Sequence, residues 1–161
     1  DRIFLAENLY VLGLRSAAPL AEFMGYYLSF IFNNVRIVTS GVNDVFEQIM
    51  HIKEDDLLIG ISFPRYASRT IEAMEFARSK GTEIIAITDS YLSPLTTYAD
   101  HTLLARSDMA SFVDSLVAPL SLINALIVAI SLRQKEDISS NFSQLESIWS
   151  EYNVYVSKKN E

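Results

Sequence analysis

Five times along this chain an apolar run ends in residues suited to gripping an anion. The first such stretch is Gly13, Arg15 and Ser16; the second opens with Ser40-Gly41. The third is Ser62-Phe63-Pro64-Arg65-Tyr66, followed by Ser68, Arg69 and Thr70. Asp89, Ser90 and Ser93 form the fourth, and Arg106-Ser107-Asp108 the fifth. A guanidinium can hold a phosphate or carboxylate through two parallel hydrogen bonds. Hydroxyls placed beside helix N-termini add donors where the free amides and the dipole already favour negative charge. Four of the eight arginines fall in these stretches, although the chain carries a formal charge of -7. The simplest account is a pocket for a small, polar, anionic ligand. The alternative is that these side chains are solvated and paired with nearby carboxylates, which fits Arg69 and Arg106 better than Arg15 and Arg65. Tyr66 either stacks on or hydrogen-bonds a ligand, or covers the loop.

Other chemistries find little to work with. There is no cysteine, which removes disulfides, thiolate metal sites and a thiol nucleophile. His51 and His101 are the two histidines, far apart in sequence, so a histidine metal site is not expected. His51 reads as a residue packing or capping near a helix end, and His101 as the opening of a strand. The residues around Gly13 lack the glycine spacing of a dinucleotide fingerprint, and neither a phosphate-loop lysine motif nor a Gly-x-Ser-x-Gly elbow is present. Asp89 is placed like a phospho-acceptor, but no acidic pair follows the first apolar run to hold a magnesium ion. No catalytic residue, metal or cofactor is therefore assigned.

The elements that must position these groups alternate along the chain. Residues 9–14, 36–39, 56–62, 83–88 and, more weakly, 101–105 are continuous apolar runs rather than alternating ones, as strands covered on both faces require. Helical periodicity links them over 18–33, 44–51 and 69–80, with Pro19 suited to a first turn and Gly81 to a C-terminal cap. Ser93-Pro94 reads as an N-cap followed by a first-turn proline, and a long helix is expected from about 111 to 133. Strand alternating with helix predicts an α/β fold, a doubly wound five-stranded parallel sheet between two helical layers. Ligands of such sheets bind outside the carboxyl ends of the strands, where the five polar stretches lie.

Composition sets further bounds. At 161 residues and 50% hydrophobic, the chain suits one domain with an ample core. Its acidity makes it a poor binder of nucleic acid by itself. Residues 115–132 carry no charge and form a borderline membrane-span candidate, but Ser115, Pro119, Ser121, Asn124 and Ser131 interrupt them. A helix buried in the core or at a subunit contact is the plainer reading, and no membrane partner is expected. In the tail, Phe142, Leu145, Trp149, Tyr152 and Val156 form one apolar stripe on a helix expected over about 139–156, after a charged break at 134–137. That stripe docks either on its own domain or on a second copy. The chain opens at Asp1 without a methionine, and residues 1–10 lack the basic and apolar regions of a signal peptide.

The chain resembles the sugar isomerase (SIS) domain, in particular the effector-sensing domain of RpiR-type bacterial transcriptional regulators. The resemblance rests on VLGLRS at 11–16, DLLIGISFPRY at 56–66 with RTIEA at 69–73, and GTEIIAITDS at 81–90 with SPL at 93–95. These stretches occur in the family's order, and the similarity extends from residue 9 to about 133. It implies a cytoplasmic, usually dimeric sensor of phosphorylated sugars or related anionic metabolites. It also implies an N-terminal helix-turn-helix domain in a longer parent, through which alone DNA would be bound, so residues 1–161 are expected to be a single sensor domain. Ser16 matches the serine of the family's first ligand loop and Ser62 the first serine of a second loop, Ser-x-Ser-Gly-x-Thr. In that loop Pro64, Arg65 and Ala67 replace a serine, the glycine and the threonine. Two hydroxyls and a close backbone approach are lost and a fixed cation is gained, so a carboxylated sugar would suit Arg15 and Arg65 as well as a phosphorylated one. The ligand-binding set expected is Gly13, Arg15, Ser16, Ser40, Ser62, Arg65, Tyr66, Thr70, Asp89 and Ser90. An isomerase is the alternative function. It needs a Glu or His base beside the sugar's C1 and C2, and neither type follows a strand end. Glu72 and Asp114, on the helices after the third loop and the fifth strand, either face the pocket or, as the plainer reading, lie on solvated helix faces.

Overall fold

A computed structural model describes residues 1–108 and 112–155. Five strands, β1 (Leu9–Gly13), β2 (Val35–Val38), β3 (Leu57–Ile61), β4 (Glu83–Thr88) and β5 (His101–Leu104), form one sheet in the order 2-1-3-4-5. All four pairings are parallel. The helices are α1 (Arg2–Leu5), α2 (Ala18–Leu28), α3 (Val45–Gln48), α4 (Ser68–Ser79), α5 (Val117–Arg133) and α6 (Lys135–Glu151). Three-residue-per-turn segments at Arg15–Ala17 and Pro94–Thr97 complete the chain's regular structure.

The continuous apolar strands follow from burial on both sides. Alternate side chains of a strand point to opposite faces. Leu9 and Val11 of β1, with Leu57, Ile59 and Ile61 of β3, enter a core shared with α2 and α5. Tyr10 and Leu12, with Leu58 and Ile84, enter a second core shared with α3 and α4. Each such fully buried aliphatic side chain contributes about 1.5–3 kcal/mol. β2 lies at the sheet edge and is half open, with Arg36 and Ile37 exposed.

Several boundaries differ from the sequence expectation. The helix expected from about 111 starts at Val117, which places Pro119 in its first turn, where a missing amide proton costs nothing. Residue 111 lies outside the described residues. Residues 112–116 form a connecting segment, tied down where the Ser107 hydroxyl donates to the Ser115 carbonyl (3.1 Å). α3 is a single turn, fixed by a reciprocal cap in which Asp44 accepts from Phe46 N–H (3.0 Å) and Glu47 from Asp44 N–H (3.2 Å). α6 begins at Lys135 rather than near 139, because only Gln134 leaves helical geometry (φ -119°, ψ 37°).

The tail stripe docks on its own domain. Phe142 and Trp149 pack on Phe30, just past α2, with ring centroids 5.8 and 6.3 Å away, and Leu145 lines the same cleft. Tyr152 stays exposed and Val156 lies outside the described residues. α5 buries Ile123, Ile127 and Ile130, while Val117, Val128 and Leu132 on its outer side are more than half exposed. Among the described residues, no helix is long and apolar enough to cross a membrane.

Candidate functional site

The carboxyl ends of β1 and β3 are adjacent in the sheet, and the loops leaving them frame one cavity of about 720 Å³. Arg15 and Ser16 line it from the turn after β1; Ser62, Arg65 and Tyr66 line it from the loop after β3. Both arginines hold left-handed backbone, Arg15 at φ 57° and Arg65 at φ 63°. A side-chain-bearing residue pays for that conformation, so its recurrence at two rim arginines singles out this cavity. Arg65, which stands where the resembling family has glycine, holds a left-handed backbone that glycine adopts without strain.

The wall between the loops is the start of α4. Its cap residue is Ala67, extended at φ -69° and ψ 119°, and no side chain caps the helix. Ala67 and Ser68 line the cavity, so the uncapped positive end of α4 faces it. Ser62 is 3% exposed and accepts the Ala67 amide at 3.3 Å, which leaves its own hydroxyl proton available to a ligand. The arrangement can receive an anion against two guanidiniums, two serine hydroxyls and a helix N-terminus.

Tyr66 is anchored at its far end. Its hydroxyl donates to Asp89 at 2.7 Å, and the Thr88 hydroxyl lies 3.2 Å from the same carboxylate oxygen. Burial, then the hydrogen bond and charge of Asp89, raise the Tyr66 pKa above its ordinary value of 10.0. The neutral phenol is therefore favoured by folding. Its contribution to stability is complete below the unfolded value and is lost as pH rises through the folded one. Tyr66→Phe is expected to cost about 1 kcal/mol at neutral pH. It should also give a shallower loss of stability into the tyrosine titration range, as denaturant titrations across pH would show.

The other expected ligand residues are placed differently. Gly13 does not line the cavity; a Cβ there would stand 2.6 Å from the Ala17 carbonyl oxygen. Ser40 lines a separate hollow of about 380 Å³ at the end of β2, which shares only Leu14 with the first. The Thr70 side chain is wholly buried, and its hydroxyl has no hydrogen-bond partner among the described residues. Asp89 and Ser90 do not line the cavity, and Asp89 holds Tyr66 from behind. Arg69 pairs with Glu72 (3.1 Å) and lies over the Phe46 ring (5.5 Å). His101 opens β5, at the opposite end of the sheet from the cavity, and pairs with Glu83 (3.3 Å). Among the described residues, no group of three His, Cys, Asp or Glu could hold a metal ion.

Asp114 takes the pocket-facing alternative, though not from within a helix. It lies before α5 and not on a solvated helix face, and it lines the cavity with its side chain only 11% exposed. Its partner is Arg65, at 3.9 Å. The expected helical phase over 111–133 hid it, because the true start of the helix was signalled only by Pro119.

Comparison with known proteins gives a consistent assignment. The family model described as the SIS domain matches residues 2–129. The sugar isomerase domain of an RpiR transcription factor from Sphaerobacter thermophilus superposes with a TM-score of 0.85 at 27% identity, covering 91% of this chain and 82% of that one. The NanR protein of Vibrio vulnificus, solved with ManNAc-6P, superposes with a TM-score of 0.80 at 15% identity, over 97% of this chain and 59% of that one, and shares the fold. An uncharacterized HTH-type transcriptional regulator of Haemophilus influenzae is 26% identical over 144 residues, or 86% of this chain. The chain spans 49% of that regulator and 40% of a second, from Caldanaerobacter subterraneus, so about half or less of each curated relative.

Proposed function

The chain belongs to the SIS domain family, and from that premise we propose that it is the ligand-sensing part of a transcriptional regulator. It binds a phosphorylated or otherwise anionic sugar metabolite in the cavity between β1, β3 and α4. Occupancy controls DNA binding by a longer parent, acting in the cytoplasm. The observation that carries this reading is the convergence of Arg15, Ser16, Ser62, Arg65 and the uncapped start of α4 on one 720 Å³ hollow in an otherwise acidic chain. The names of the relatives support the regulatory part: two are HTH-type regulators, one is an RpiR transcription factor, and NanR was solved with a sugar phosphate.

The domain senses and does not catalyse. Aldose–ketose exchange requires a base beside two sugar carbons, and among the described residues the one carboxylate lining the cavity is Asp114, which stands 3.9 Å from the Arg65 guanidinium. Sensing needs only different affinities for two arrangements of the parent, with a coupling of about 1–3 kcal/mol. A homodimer supplies those arrangements, and the open apolar side of α5 (Val117, Val128, Leu132) suits a second copy. Calorimetric titration of sugar phosphates and acidic sugars should find saturable binding of a subset, about tenfold weaker in Arg15→Ala. Uniform weak binding of every anion to both proteins would defeat the proposal. Aldose–ketose exchange of the bound sugar on incubation would move the assignment to an isomerase.

A further inference from the structure

The cavity that gathers cations also contains a carboxylate, and this combination narrows what fits. The Asp114 side chain is 11% exposed and 3.9 Å from an Arg65 nitrogen, too far for a hydrogen bond. No donor among the described residues satisfies its oxygens. Inorganic phosphate entering between Arg15 and Arg65 would therefore meet a nearby negative charge and bring it one or two hydroxyls at most, where a sugar brings several. We infer that Asp114 is a specificity-determining residue, which admits an anionic group only when the same molecule brings hydroxyl donors to its carboxylate. The inference rests on the anion-sensing reading above and deepens it by naming the residue that discriminates among anions at that site.

Size and charge favour neutral hydroxyls over an amine. A hollow of about 720 Å³ has room for a sugar beyond its phosphate. An ammonium beside Asp114 would also stand beside the Arg65 guanidinium, which hydroxyls do without repulsion. A polar group that must be paired rejects ligands lacking the partner more strongly than an apolar wall does. Rejection of the wrong anion is thus built in by repulsion as well as by the missing contact.

The test is titration of inorganic phosphate, glucose 6-phosphate and glucosamine 6-phosphate into wild type and Asp114→Asn. Wild type is expected to prefer glucose 6-phosphate to inorganic phosphate by at least about tenfold. It should bind the amino sugar no more tightly than glucose 6-phosphate. In Asp114→Asn, phosphate should bind more tightly and glucose 6-phosphate more weakly, which closes most of the gap. A merely structural loss would weaken both together. An unchanged ratio in the variant overturns the inference and leaves anion sensing standing, as does an amino sugar bound tenfold tighter than its hydroxyl counterpart. Failure of all three probes to bind wild type overturns this inference, while the anion-sensing reading falls only if the wider set of sugar phosphates and acidic sugars fails as well. Asp114→Glu, which keeps the charge, should retain the wild-type preference for the sugar over free phosphate; its collapse there would also overturn the inference.

Discussion

Replacing Arg65 with glycine is expected to weaken binding of a sugar phosphate by about tenfold to a hundredfold while making the folded protein more stable. The loss follows from removing charge-assisted hydrogen bonds, worth about 1.5–3 kcal/mol. The gain follows from the backbone: Arg65 sits at φ 63°, where a Cβ is penalised by about 1 kcal/mol and glycine is not. Little is lost with the Asp114 pair, because Arg65 is 71% exposed and the separation is 3.9 Å. Arg65→Ala separates the two effects, since it removes the guanidinium but keeps the Cβ in the left-handed region. It should show the same loss of affinity without the added stability. Calorimetry and thermal melts of the three proteins decide the matter; unchanged affinity in both variants would remove Arg65 from the site.

Gly13→Ala should have the largest effect on stability. A Cβ at Gly13 would lie 2.6 Å from the Ala17 carbonyl oxygen and 2.8 Å from the Ala21 Cβ. The first is backbone and cannot rotate away, so β1 and the start of α2 must separate. Overpacking of this kind costs about 2–3 kcal/mol, or a melting temperature lower by about 5–10 °C. The turn that must move, Arg15–Ala17, carries two of the cavity's polar groups, so ligand affinity should fall in the same variant. Gly41→Ala is the control. No atom lies within 4 Å of a Cβ there, and stability should be unchanged.

The central strands were legible because a sheet buried on both faces leaves short apolar runs, which their length and the polar residues bounding them separate from buried helix segments. The loops that close the cavity were legible for a related reason, since polar residues directly after such runs fall at the carboxyl edge. Which of those residues share a hollow was not. Ser40 and Ser62 both follow strands, yet β2 is at the edge and β3 is central, and the turn at Leu14 divides their surroundings. Thr70 has the right spacing after β3 but falls on the inward side of the first turn of α4. Asp89 belongs to the right edge but is spent on Tyr66. The backbone at Arg15 and Arg65 carries no signal in residue type, because arginine is not a residue that announces positive φ. Asp114 was concealed by a helix start misplaced by about two turns, a boundary error that rotates every side chain behind it.

α5 joins places that are far apart. Just before its first turn, Asp114 reaches the cavity; at its last residue, Arg133 pairs with Asp1 at 2.6 Å and covers the Phe4 ring at 4.9 Å. Seventeen residues of helix separate the two ends by about 25 Å. A packed helix barely compresses along its axis, so it slides or tilts as one piece. The cavity and the ion pair at Asp1 are thus held at a fixed separation by one rigid element.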